Sequence, residues 1–345
     1  MKFVEVLGSK FEVKKGFLDL SLLDIKNIDE IQGLSKIKDL KNLELSSNDI
    51  GTIEGLDDLT ELEILNLGNN KIIDIKGLDQ LQNLNILHLI SNQISEIKGL
   101  ENLTNLEELY LRGNQISELK GLEKLSSLVR LDLSWNEITE INGLETLTKL
   151  EVLWIAGNKL EIIKNLDNLD NLEVLNLAGN QIKSIQGLEN LKNLKSLYLN
   201  NNSIQEIQGL DSLESIETLW LNTNQISNIR GLDNLKTLKI LNLKQNNLTQ
   251  IRGLYSLTEL ETLFLSENSI GEIKGLEALA NLETLDLGQN RIIQIKGLES
   301  LMHLKDLWLA DNLIPQKILD ELGGLDSGGC ANDPMQFVKY SLINL

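Results

Sequence analysis

Few residues in this chain have the type and spacing that bond-making chemistry demands. There are two histidines, His88 and His303, and one cysteine, Cys330. Zinc needs clustered thiol or imidazole ligands, and calcium needs a loop of oxygen donors. Neither pattern occurs, so no metal ligand is assigned. His88 shares a register column with Tyr110 and Asp132, but no serine or cysteine nucleophile with an oriented base accompanies them. Every glycine belongs to a repeat or to the tail, so no phosphate cradle is left and no cofactor is expected. Cys330 reads as a free thiol and His303 as a surface residue. No catalytic residue is assigned. What remains is a set of rings. Tyr110, Trp154, Tyr198, Trp220, Phe264 and Trp308 are separated by 22 residues or by twice that. Rings in fixed register offer large apolar contact area, which is binding chemistry.

The spacing comes from a repeat. Asparagine recurs every 22 residues, thirteen times, from Asn48 to Asn312. Around it runs the pattern LxxLxLxxNxIxxIxGLxx, as in residues 62–80. A glycine column runs from Gly33 to Gly297 and is interrupted only by Asn165, a residue that tolerates a left-handed backbone. Within each unit the two leucines of LxL, such as Leu65 and Leu67, alternate with polar neighbours, the period of a half-buried strand. Thirteen such strands would stack into one parallel sheet. The asparagine sits where the strand turns away, and its amide can bond backbone groups of its own and adjacent coils. The IxxIxGL segment returns as extended or short 3-10 backbone, being too short for a full helix.

The motif resembles the leucine-rich-repeat family over about residues 18–314, in its 22-residue subclass. That subclass includes the leucine-rich regulatory subunit of protein phosphatase 1 and the bacterial internalins. The resemblance implies an α/β-type repeat solenoid, a curved horseshoe with a concave parallel sheet that binds a protein partner. Residues 1–17 read as a β-hairpin cap turning at Gly8–Ser9, with Phe3, Phe11 and Phe17 over the open end of the core. Residues 18–314 form the solenoid. Its first repeat is degenerate, with three extra residues and Leu23 in the asparagine slot. Residues 315–345 read as a helical cap. A short helix begins at Pro315, and a last helix has Asp333 as N-cap and carries Met335, Phe337, Val338 and Leu342 inward.

The outward position between the two strand leucines is free of the repeat rule. Six of its thirteen occupants are Tyr, Trp or Phe, although aromatics are 4% of the chain. At about 4.8 Å per strand, Trp154, Tyr198 and Trp220 would fall within roughly 15 Å. Aromatics also suit strands for packing alone, but that does not explain their scarcity on the other side. Trp135 is expected on the same face. Arg112 and Arg130 lie near Tyr110 and Trp135 with Asp132 between, and Asp286, with Glu267, Asp306 and Asp311, makes the C-terminal third acidic. The row and these charges are the expected partner surface. Two further columns, Lys76, Lys98 and Lys120 with Asp79, Glu101 and Glu123, read as a structural ladder of opposite charges.

Acidic residues outnumber basic ones 51 to 32, a formal charge of −19. That charge repels phosphate backbones and anionic membrane surfaces, so neither nucleic acid nor membrane is an expected partner. One cysteine excludes an internal disulfide. The N-terminal residues lack the apolar segment of a signal peptide, and a cytoplasmic location is expected. Three readings follow: a monomeric protein-binding scaffold or regulatory subunit, with phosphatase regulation as its variant; a self-associating solenoid; or an enzyme. The first is preferred.

Overall fold

The computed structural model describes residues 2–343. The chain divides into two compact units. The first runs through Leu160 and includes Asn165–Leu172; the second contains Glu161–Lys164 and the chain from Glu173 onward.

The first unit opens with an antiparallel hairpin, β1 (Lys2–Val6) and β2 (Ser9–Val13). Its turn is Leu7–Gly8, at φ 51° and 79°, one residue earlier than expected. Two successive left-handed residues suit the tight turn of a twisted hairpin. Val4 and Val6 reach the core at 1% and 2% exposure, whereas Phe3 and Phe17 stay 46% and 41% exposed. Phe3 and Phe17 therefore do not seal the end as expected, because strand alternation sends Val4 and Phe3 to opposite faces, whereas Phe11, paired with Val4, is half-buried.

Seven short strands follow: β3 (Phe17–Asp19), β4 (Asn42–Glu44), β5 (Ile64–Asn66), β6 (Ile86–His88), β7 (Glu108–Tyr110), β8 (Arg130–Asp132) and β9 (Val152–Trp154). Each pairs in parallel with the next. The first step spans 25 residues, Leu18 to Leu43, and the later ones 22. The three extra residues of the first repeat are thus real. They sit beside two 3-10 turns, Ile28–Glu30 and Leu34–Lys36.

The second unit repeats the plan with β10 (Val174–Asn176), β11 (Ser196–Tyr198), β12 (Thr218–Trp220), β13 (Ile240–Asn242), β14 (Thr262–Phe264), β15 (Thr284–Asp286) and β16 (Asp306–Trp308). Here too every strand is parallel to the next in the same register. Two helices close the chain, α1 (Gln316–Glu321) and α2 (Pro334–Ile343). Pro315 precedes α1 rather than heading it. The segment at Cys330 bridges Trp308 in antiparallel fashion, with Ala331 N–H donating to Leu307 O at 2.7 Å. It covers the edge of β16 that would otherwise stand open. Asp333 caps α2 through the Met335 N–H at 3.1 Å. Phe337 and Val338 are buried as expected; Leu342 is 43% exposed, and Ser341 takes the buried place. Its hydroxyl accepts from Leu298 N–H at 3.2 Å and donates to Glu299 Oε1 at 2.8 Å.

Inside each coil the chemistry follows the repeat letters. Leu65 and Leu67 are fully buried, as are their counterparts in other coils. The asparagine ladder forms. Asn70 Nδ2 donates to Leu45 O and Leu67 O, and its Oδ1 accepts from Ile50 N–H, all at 3.0 Å. The return path is a series of single i→i+3 turns, such as Leu59 N–H to Leu56 O at 2.9 Å. The glycine column has a steric cause as well as a conformational one. Gly143 has φ 75°, and a Cβ there would stand 2.5 Å from Leu119 O of the preceding coil. Asn165, the exception, keeps φ 59° and donates from Nδ2 to Ile141 O at 2.7 Å.

The two charge columns differ from expectation. Lys76 and Lys120 pair with the acids two residues before them, Asp74 and Glu118. Glu123 accepts the Gly121 N–H at 2.9 Å, and Glu299 accepts that of Gly297 at 3.0 Å. Glu123, Glu277 and Glu299 are thus turn caps, whereas Asp79 accepts from Asn102 of the next coil. These ion pairs are exposed and contribute little each.

Candidate binding face

Leucines fill one side of every strand, so the alternate residues project from the other. In the first unit His88, Tyr110, Asp132 and Trp154 stand on four successive strands in one row. His88 and Tyr110 stack, their centroids 4.5 Å apart and the planes 5° from parallel. Burial lowers the His88 pKa from 6.5, and the carboxylates of Glu108 and Glu44 oppose that shift. Tyr110 donates its hydroxyl proton to Glu108 Oε2 at 2.6 Å. Burial and that bond push its pKa up to about 12. Arg130 Nη1 bonds the other oxygen of Glu108 at 2.8 Å. Arg130 thus pairs with Glu108, the hub that the repeat pattern did not reveal. Arg112 follows β7 and is exposed.

Asp132 is only 9% exposed, between the rings of Tyr110 and Trp154 in its row. Its Oδ1 accepts the Ser134 N–H at 2.9 Å. That local cap is its visible role. Trp135 lies in the turn after β8, not in the strand. It has φ 59° and is 60% exposed. Its ring covers Gly157, where a Cβ would meet Trp135 Cδ2 at 2.9 Å. The slot before each asparagine is left-handed throughout, including Ser47, Asn69 and Gly113. A bulky residue there is unusual.

In the second unit Tyr198 and Trp220 stand on neighbouring strands with centroids 5.9 Å apart and planes inclined by 55°. Phe264 and Trp308 are half-buried on β14 and β16. Asn242, between Trp220 and Phe264 in its row, is 7% exposed. Asp286 accepts the Gly288 N–H at 3.0 Å and the Ser266 hydroxyl at 2.5 Å. Glu267 pairs with Lys244 at 3.0 Å. The acidity expected around Phe264 and Trp308 is thus partly engaged within the fold, and exposed Asp311 carries more of what is left.

Among the described residues no group of His, Cys, Asp and Glu is arranged to hold a metal. Among the same residues no helix is long and apolar enough to cross a membrane. Burial raises the Cys330 pKa above its ordinary value, away from thiolate chemistry.

A repeated LxL strand, a buried asparagine ladder and a left-handed glycine on each coil define a leucine-rich-repeat protein. The family model described as leucine rich repeats (2 copies) matches residues 38–80, 60–102, 82–124, 104–146, 126–170, 170–212 and 192–234, and a single-repeat model matches 278–302. The chain belongs to the leucine-rich-repeat family. An internalin (inlF) from Listeria monocytogenes is 33% identical with a TM-score of 0.78, over 86% of this chain and 87% of that one. A leucine-rich-repeat protein of Leptospira interrogans is 29% identical, TM-score 0.66, over 88% and 92%. The ectodomain of the plant receptor kinase GASSHO1/SCHENGEN3 from Arabidopsis thaliana is 27% identical, TM-score 0.67, over 85% of this chain and 38% of that one. No curated protein matches.

Proposed function

We propose that this chain is a non-catalytic binding module that captures a partner protein on the exposed faces of its sheets. The observation that carries the reading is the ring row. Tyr110 and Trp154 in the first unit, and Tyr198, Trp220, Phe264 and Trp308 in the second, stand on the side opposite the leucines and remain partly open to solvent. The core does not need them, since it is filled by leucine and isoleucine. Rigid, half-exposed rings are the composition of interface hot spots. The plant receptor ectodomain was solved in complex with Casparian strip integrity factor 2, which supports protein recognition as a use of this architecture. Exposed Arg112 and Trp135 would extend the surface in the first unit. Asp306 and Asp311 would favour a basic segment in the second. Arg130 supports Tyr110 through Glu108, and Asp132 and Asp286 cap backbone amides beside the rings. Regulation of a phosphatase rests on resemblance alone.

The test is affinity capture from a cell extract with wild type, Trp154→Ala and Trp220→Ala. Each variant should lose partner capture while its Tm stays near wild type. Unchanged capture by both would place the interface elsewhere. Self-association is the second reading: a mass that rises with concentration for wild type, and not for the ring variants, would establish it instead.

A further inference from the structure

The outward strand position holds either a polar side chain or a ring, and the choice decides the fate of one backbone group. On β3, β4, β5 and β8 of the first unit, and on β10, β13 and β15 of the second, the residue is Asp, Glu or Asn. In every one of these coils its oxygen accepts the N–H two residues on, at 2.8–3.0 Å. On β6, β7 and β9, and on β11, β12, β14 and β16, the residue is a ring. In all of these coils the N–H two residues on finds no acceptor among the described residues. Backbone donors are seldom left unpaired, and a repeated omission at the same place is a property of the surface.

The neighbouring strands β11 and β12 concentrate it. The Asn200 and Asn222 N–H groups stand unbonded beside Tyr198 and Trp220. Independently, Asn222 Oδ1 is buried without any hydrogen-bond partner. Its Nδ2 reaches Thr223 Oγ1 only at 3.4 Å. Of the neighbouring face residues, Ser196, Thr218 and Thr223 are uncharged, and Lys244, in register with Asn222 on the next strand, has its charge paired with Glu267.

We infer that this patch binds the main chain of an uncharged, extended segment of a partner protein. Peptide carbonyls accept from the Asn200 and Asn222 N–H groups, and side chains lie against the two rings. The patch offers backbone donors, and a peptide carbonyl is an uncharged acceptor for them. A carboxylate or phosphate is also an acceptor, but the chain's charge of −19 opposes either. This inference rests on the protein-binding reading above and names what that face grips.

Amide hydrogen exchange, read by NMR on the full chain, tests the first half. The Asn200 and Asn222 amides should exchange at least ~10-fold faster than those of Ala178 and Lys244, whose donors are bonded, since one hydrogen bond is worth about that factor. Titration with acetyl-trialanine-N-methylamide, and separately with maltose, tests the second. The capped peptide should shift the Asn200 and Asn222 amides, and maltose should not. Trp220→Asn should slow Asn222 exchange about tenfold by self-capping, as Asn242 does for Lys244, and abolish the peptide response with Tm held or raised. Slow exchange in wild type, a response to maltose alone, or an unchanged peptide response in the variant would each overturn the proposal. Partner capture without a peptide response at these amides overturns this proposal alone. A peptide response without capture of any partner overturns the protein-binding reading.

Discussion

The rings of His88 and Tyr110 lie 4.5 Å apart and 5° from parallel on neighbouring strands. The imidazole is half-buried, and burial lowers its pKa from 6.5. A base with a folded pKa below its unfolded value is neutral in the fold, so protonation favours the unfolded chain. That cost appears as pH falls through 6.5 and is complete below the folded value. Between about pH 7 and about pH 5, wild-type Tm should therefore fall further than that of His88→Asn. Parallel Tm curves for the two would refute the coupling.

Asp132 tests the local cap. Asp132→Asn keeps an oxygen for the Ser134 N–H and should cost under ~0.5 kcal/mol, whereas Asp132→Ala removes it and should cost about 1–2 kcal/mol. Urea denaturation distinguishes them. Equal losses would mean that the carboxylate charge, not the cap, is what matters.

Asn114 tests the ladder. Its amide donates to Leu89 O and Leu111 O at 2.9 Å and accepts from Ile94 N–H at 3.0 Å. Asn114→Ala strands the buried Ile94 N–H, while Leu89 O keeps Asn92 and Leu111 O keeps Asn136, and should cost about 2 kcal/mol. A loss below half of that would show that water replaces the amide.

Gly143 tests coil-to-coil contact. Gly143→Ala puts a Cβ against Leu119 O in a left-handed residue and should cost about 1–3 kcal/mol. Gly143→Asn should cost less, because Asn165 shows how an amide turns the same approach into a hydrogen bond. Equal losses would remove that explanation.

Trp135 separates stability from binding. Trp135→Gly relieves a left-handed backbone that a bulky residue adopts at about 1–2 kcal/mol and loses the ring's cover of Gly157. Its stability should stay level or rise, while partner capture weakens. A marked fall in Tm would make the indole structural.

The sequence made the coils readable because Leu65, Leu67 and Asn70 serve the core, and the core repeats without exception. The left-handed slot before each asparagine escaped notice because Ser, Asn, Gln, Glu, Asp, Thr, Trp and Gly all occupy it; its constancy is in backbone angle, not residue type. Asp132 and Asp286 also cap amides two residues away, a contact that periodicity cannot resolve. Glu108 was hidden for a similar reason: its importance comes from Tyr110 in its own coil and Arg130 in the next. The ring row itself was legible, since its residues interrupt an otherwise polar column.

The alternation of self-capped and uncapped amides has a consequence for how such a surface changes. In each coil a single residue sets whether the donor two places on is closed or available, and that residue lies on the side of the strand away from the leucines. Exchange of a ring for asparagine, or the reverse, would rewrite that donor and leave the caps of the other coils to their own residues. The exposed side behaves as a string of two-state switches set in the gene, edited one codon at a time over an interior that stays the same.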